Sequence, residues 1–204
     1  MLPYYIYKLI TILIRPFIVF YILIRISKGK EDKSRQAERY GLSDIERKKG
    51  KVVWFHAASI GESLSILPLL RKLNSDKSID QIILTTGTVT SANILKNKLS
   101  KKIIHQYVPF DIPSYVNKFL NHWKPSLAVF VESEIWTNFL IELKKRNVFS
   151  LIINGRMTVK SFKKWSMLSG SSKKLFSNFT ACCTQNSDSA FFYEKLGIKN
   201  TINT

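Results

Sequence analysis

The chain has 204 residues, 45% of them hydrophobic, with 32 Lys and Arg against 14 Asp and Glu, a formal net charge of +18. That length buries the core of one ordinary domain but falls short of two complete nucleotide-sugar-type domains plus a membrane segment. The charge favours an anionic partner, whether nucleic acid, phospholipid headgroups or a phosphorylated substrate, and does not choose among them. Part of the excess reads equally well as compositional drift on solvated faces of an Ile-, Lys- and Asn-rich chain. Nucleic acid is disfavoured, because no zinc-finger spacing, RNP-like aromatic motif or recognition helix turns the charge into base readout.

The amino-terminal residues Leu2 to Ile26 are almost wholly apolar and aromatic, interrupted by Lys8 and Arg15 and by Pro16, which removes a helical hydrogen bond midway. No small-residue cleavage site succeeds Ile24, so the segment reads as a retained anchor over residues 1–27 rather than a cleaved signal. Two forms are open. One is a poor single span of about 20 residues, with Arg15 costing about 2.5 to 3.5 kcal/mol at mid-bilayer; the other is a kinked helix lying in the interface. The basic run Arg25, Lys28, Lys30, Lys33 and Arg35 holds the next domain on the cytoplasmic face, and residues 28–50 read as a basic, polar linker.

From residue 51 onward short apolar runs alternate with amphipathic stretches. The runs Val52 to Ala58, Ile82 to Thr86, Ile103 to Val108, Leu127 to Val131, Val148 to Ile153 and Thr180 to Thr184 predict six buried strands. Val116, Phe119, Leu120 and Trp123 have the spacing of a helix burying one face, with similar patterns over Ser91 to Leu99 and Trp136 to Lys145. This alternation predicts an α/β fold, a Rossmann-like parallel sheet with helices on both faces, spanning residues 51–204. Such sheets bind ligands beyond the carboxyl ends of their strands, so the chemistry belongs in the loops leaving each run.

In those loops Glu62 stands where a strand gives way to a helix, after Ser59 and after Gly61, which allows a tight turn, and near the positive end of the helix dipole. A carboxylate kept ionised there can take a proton from an attacking hydroxyl; equally, it can do no more than stabilise the helix start. Glu132 and Glu134, two apart after a strand, point the same way if the chain is extended. They repel unless partnered, Arg156 and the lysines being candidates, and suit ion pairing, sugar-hydroxyl binding or a helix start better than a glycosidase pair. Asn154 and Arg156 leave the fifth strand, and the guanidinium can present a planar fork to phosphate or carboxylate, or make a surface salt bridge. Thr85 to Ser91 lacks the spacing of a P-loop and reads as a turn with a helix cap or as hydroxyl donors to phosphate. Cys182 and Cys183 are adjacent in an apolar run and read as buried thiols. His56, His105 and His122 form no cluster, so they read as packing or surface histidines and no metal site is indicated.

Several of these loops, in order, form blocks: His56-Ala57-Ala58-Ser59-Ile60-Gly61-Glu62-Ser63, Glu132-Ser133-Glu134-Ile135-Trp136-Thr137-Asn138, and Asn154-Gly155-Arg156-Met157-Thr158 with Ser161 after it. With Glu38-Arg39-Tyr40-Gly41, the Thr85 to Ser91 loop, Tyr107-Val108-Pro109-Phe110-Asp111 and Ala181-Cys182-Cys183-Thr184-Gln185-Asn186, they resemble the signature blocks of the transferases of 3-deoxy-D-manno-octulosonic acid (Kdo). Thr137, Gly155 and Trp165 stand where that family usually has proline, alanine and tyrosine.

The resemblance implies the amino-terminal, acceptor-binding half of a two-domain GT-B glycosyltransferase. Such an enzyme moves Kdo from CMP-Kdo to lipid IVA in lipopolysaccharide biosynthesis, needs no metal or other cofactor, and works on the cytoplasmic face of the inner membrane. It makes Glu62 the catalytic base and Glu134 a functionally important acid, with Ser59, Gly61, Glu132, Asn154 and Arg156 on the acceptor side. Partners implied are lipid IVA, CMP-Kdo, anionic inner-membrane lipids and a separate chain carrying the donor domain, which these residues do not include. The alternative is a truncated, non-catalytic, membrane-associated remnant that at most binds the lipid A precursor.

Overall fold

A computed structural model describes residues 2–204. Among them are seven parallel strands in one sheet: β1 (Val52–His56), β2 (Gln81–Thr86), β3 (Ile103–Tyr107), β4 (Leu127–Val131), β5 (Phe149–Gly155), β6 (Ala181–Thr184) and β7 (Thr201–Asn203), in the order β3-β2-β1-β4-β5-β6-β7. Every residue of β1 and β2 is buried, which is why these strands read as unbroken apolar runs: both sheet faces are covered, and no alternation is required. All six expected strands form, with ends displaced by a residue or two; the first stops at His56, not Ala58. The short edge strand β7, two of its three residues exposed, has no apolar run to mark it in the sequence.

Two apolar layers flank the sheet. On one face α5 (Pro113–Trp123), α6 (Thr137–Lys145), α8 (Ser169–Phe176) and α9 (Ser187–Lys195) pack Phe119, Phe139, Phe176 and Tyr193 onto the strands, with α7 (Val159–Ser166) alongside. Trp54 sits at the centre of this layer, its ring centroid 4.9 Å from those of both Phe119 and Phe139. On the other face α2 (Ile60–Ser65), α3 (Leu67–Asn74) and α4 (Val89–Leu95) contribute Ile66, Leu70 and Leu95. The four apolar positions expected to define the helix at Val116 to Trp123 are all buried.

The basic, polar residues 28–50 carry structure of their own. Lys33–Tyr40 forms a 3-10 helix whose Arg39 is buried and donates to Glu31, 3.0 Å away, and to the carbonyls of Val108 and Gly87. A guanidinium can be buried only with its donors met, and Arg39 ties the exits of β2 and β3 to this segment. Gly41 ends the helix at φ 79°, and a Cβ there would lie 2.1 Å from the Tyr115 carbonyl oxygen, so no other residue fits.

The apolar segment is one helix, α1 (Leu2–Ser27), which continues through Pro16. Its contacts with the domain recur at helical spacing. Tyr7 donates to Asp111 (2.9 Å), Thr11 meets Asn138 (3.3 Å), Arg15 lies over the Tyr115 ring, Ile18 and Ile22 are buried against Ile112 and Tyr115, and Arg25 pairs with Glu31 (2.8 Å). This docking, from Tyr7 to Arg25, ties one side of α1 to the domain, and by length and composition α1 is apolar enough to cross a membrane. The opposite side carries Leu9, Leu13, Phe17 and Phe20, all exposed.

Asp111 secures this docking. It is buried, accepts from Tyr7 and from the amides of Asn138 and Phe139 at the start of α6, and its pKa is pushed up to about 6 by burial, which those three donors only partly offset. The folded chain therefore binds a proton more readily than the unfolded one, and stability falls as pH rises from the ordinary aspartate range through about 6. The fall is worth about 3 kcal/mol at most and is expected to vanish in Asp111→Asn, measured by denaturant unfolding from about pH 3 to about pH 7, roughly one unit beyond each of the two pKa values. An unchanged slope would remove Asp111 as its source. Gly41→Ala is expected to cost about 3 kcal/mol in the same measurement.

Candidate active site

The strand order reverses between β1 and β4, the point at which an open parallel sheet leaves a crevice above its carboxyl ends. The loops leaving these two strands carry Glu62 on one side and Glu132 and Glu134 on the other. The crevice thus assembles acidic residues from blocks well separated in the chain.

At the β1 exit, Ser59 caps α2 and its Oγ accepts from the Glu62 amide (3.2 Å). Glu62 is buried and reaches back so that Oε2 accepts from the Ala58 amide (2.9 Å), an exchange akin to a capping box. Glu62 therefore does stabilise the helix start. Among the described residues no hydrogen bond reaches its Oε1, and that oxygen is not sealed from solvent. Gly61 is not at a tight turn as its residue type suggested; it lies inside the first turn of α2, where an added Cβ would find only Ser59 Oγ, 3.9 Å away. Its role in this fold is an open surface beside Glu62.

At the β4 exit the chain is not extended. Glu132 adopts φ 59° and starts a turn, so the alternation of an extended chain does not set the directions of Glu132 and Glu134. Glu134 accepts from Trp136 Nε1 (2.8 Å) and lies 3.5 Å from His56 Nε2. Burial pushes its carboxyl up, but His56 and then Trp136 outweigh that and hold it below the usual carboxylate range. Glu132 is pushed the other way, by burial first and then by the neighbouring charge of Glu62, with Arg156 opposing. Of two glutamates two residues apart, one is held ionised and the other is made easier to protonate.

Asn154, at φ 53°, sits where the β5–β6 register shifts, and this irregularity turns Arg156 outward to solvent without an ion pair among the described residues. Tyr193 binds the two loops together, its hydroxyl donating to the carbonyls of Glu132 (3.2 Å) and Arg156 (3.3 Å). Thr85 to Ser91 takes the cap form: Thr88 caps α4, while buried Thr85 serves Trp54 and His56.

Residue-type reasoning missed His56, Trp136 and Tyr193. His56 is no ordinary packing histidine: its Nδ1 lies 3.0 Å from Thr85 Oγ1, and its buried Nε2 makes no well-formed hydrogen bond, facing Glu134. Its place at the head of the Glu62 block was the one available signal. Next to it a cavity of about 310 Å³ is bounded by Arg25 and Arg39, by Gly87 and Thr88, and by Trp136.

A family model described as 3-deoxy-D-manno-octulosonic-acid transferase (kdotransferase) matches residues 34–204. The chain belongs to this family. A probable 3-deoxy-D-manno-octulosonic acid transferase, mitochondrial, of Arabidopsis thaliana is 37% identical over 80% of this chain and 36% of its own length. The 3-deoxy-D-manno-octulosonic acid transferase of Rickettsia bellii is 34% identical over 97% of this chain and 47% of its own, and that of Haemophilus influenzae 28% identical over 94% and 45%. The chain thus spans about half the length, or less, of these Kdo transferases. Among solved structures, a UDP-GlcNAc 2-epimerase from Neisseria meningitidis superposes with a TM-score of 0.53 at 13% identity, over 76% of this chain and 46% of that one, a likeness of fold.

Side-chain carboxyl titration by NMR is expected to show Glu132 titrating above Glu134. Arg156→Gln should move Glu132 further up and Glu62→Gln should move it down. If Glu132 does not respond to Glu62→Gln, the two carboxylates do not share a site.

Proposed function

We propose that this chain supplies the acceptor side and the general base of a Kdo transferase acting in lipopolysaccharide biosynthesis. The reading rests on family membership together with one observation: at the switch point of the sheet, Glu62 is fixed through one carboxylate oxygen and leaves the other free. The donor subsites belong to the half of the relatives that this chain does not match, supplied by a separate donor-domain chain or a continuation.

In this proposal Glu62 Oε1 takes the proton of the glucosamine 6'-hydroxyl of lipid IVA. The oxygen attacks the anomeric carbon of Kdo, the bond to the CMP phosphate breaks, and its electron pair leaves with CMP, inverting the centre without a metal. Glu134, pinned between His56 and Trp136, stays ionised and accepts sugar hydroxyls. Ser59 and Gly61 border the entering hydroxyl, Glu132 and Asn154 shape the opposite wall, and the outward guanidinium of Arg156 takes an acceptor phosphate. The stripe of Leu9, Leu13, Phe17 and Phe20 on α1 rests in the cytoplasmic face of the inner membrane, with anionic lipids drawn to the surrounding positive charge.

The test incubates the chain with lipid IVA and a CMP-Kdo-generating system, alone and with the carboxy-terminal half of a relative. Transfer is expected only in the combination, and Glu62→Gln should lower it about 10²- to 10⁴-fold with the fold retained. Full activity in Glu62→Gln would overturn the base assignment. Transfer by the chain alone would overturn the division into acceptor and donor halves, and none in any combination would favour the non-catalytic alternative.

A further inference from the structure

A second cavity, of about 550 Å³ and lined by none of Glu62, Glu132 and Glu134, lies between the first turns of α1 and the helices α6 and α8. Its volume is that of a site which buries most of a ligand. Tyr4 of α1, Ile135 and Ile141 beside and on α6, and Leu168 and Leu175 at α8 make its walls mostly apolar. Lys144, Lys145 and Lys174 also line it. Lys145 is paired with Glu142 (2.7 Å), whereas Lys144 and Lys174 make no ion pair among the described residues. From Thr137 to Lys144, both in the lining, α6 rises about 10 Å. The site is therefore a largely apolar groove whose lining includes two lysines outside any ion pair among the described residues.

We infer that this groove holds one acyl chain of an anionic membrane phospholipid, with the lipid phosphate at Lys144 and Lys174. The inference extends the membrane placement proposed for α1 and uses none of the transfer chemistry. Three observations carry it. The groove is walled by α1 itself, whose exposed stripe faces hydrocarbon in that placement, and beside it Leu168 and Met167, the latter 85% exposed, continue the apolar surface across the α7–α8 turn. Two hydroxyls of the wall are already engaged inside the protein, Tyr7 on Asp111 and Ser172 on the Trp165 carbonyl. A peptide would bring backbone polar groups against these walls, at a cost for each one left unmet, whereas an acyl chain brings none. The free lysines then supply the complement to a phosphate in a medium that screens charge poorly.

The experiment binds the full chain to vesicles of phosphatidylcholine, with and without phosphatidylglycerol, each lipid in turn carrying a doxyl label on its acyl chain. Electron paramagnetic resonance reads the motionally restricted fraction, and cosedimentation reads vesicle binding separately. A restricted component favouring phosphatidylglycerol is expected. Ser171→Trp, which places an indole in the half-buried wall, should abolish it without loss of cosedimentation. Lys144→Ser with Lys174→Ser, both at exposed positions that do not endanger folding, should lower the preference for phosphatidylglycerol about 25-fold, near fivefold per lysine.

Loss of cosedimentation in the unsubstituted chain would sink the membrane placement. Retained cosedimentation with no restricted component, or with one indifferent to both sets of substitutions, would overturn the groove as a lipid site. A dimer that Ser171→Trp abolishes would assign the groove to a second copy of the chain and overturn it equally.

Discussion

A carboxylate taken out of water must be met by donors, and Asp111 is met by three that belong to two different helices. The amides of Asn138 and Phe139 fix the start of α6, and with it the turn carrying Glu132 and Glu134; the Tyr7 hydroxyl fixes the first turns of α1. A single buried group thus ties the apolar amino-terminal helix to the start of α6 beside the acidic crevice. The burial that makes these bonds strong also raises the pKa of Asp111 to about 6, so the junction has a cost that grows with pH. The Glu31–Arg39 pair makes a second junction at the other end of α1, where Arg25 joins it and Arg39 reaches the exits of β2 and β3.

Within the crevice, residues of the same type are separated by their surroundings. Glu62 is held by one oxygen from the Ala58 amide, Glu134 is pinned by Trp136 and faced by His56, and Glu132 is left beside Glu62 with Arg156 as its counterweight. Three carboxylates in a row of loops would only repel one another if all three were free. Here each has a different set of partners, which holds Glu134 below the usual carboxylate range and pushes Glu132 above it.

The sheet was legible in the sequence because a parallel sheet covered on both faces leaves continuous apolar runs, and the helix at Val116 to Trp123 because four positions share one buried face. What escaped depends on contacts between distant residues. The turn carrying Glu132 and Glu134 starts at Glu132 in a left-handed conformation that glutamate rarely adopts, held by ladder bonding to Ile153 and by Tyr193 from α9. His56 gains its meaning from Glu134, and residues 28–50 gain theirs from Arg39 finding the carbonyls of Gly87 and Val108. The apolar amino terminus gave the existence of α1, while its orientation depends on which of its faces meets Asp111, Tyr115 and Glu31. The signature blocks carried the family; the partners of their acidic residues needed the fold.

The central claim is that the free oxygen of Glu62 meets the acceptor hydroxyl in the crevice between the β1 and β4 exits. A crystal structure of the chain with lipid IVA bound tests it most directly. The account predicts the 6'-hydroxyl within about 2.6–3.2 Å of Glu62 Oε1, with the sugar against Glu134 and the acyl chains towards α1. A lipid whose 6'-hydroxyl faces Glu132, or lies outside the crevice altogether, would contradict it.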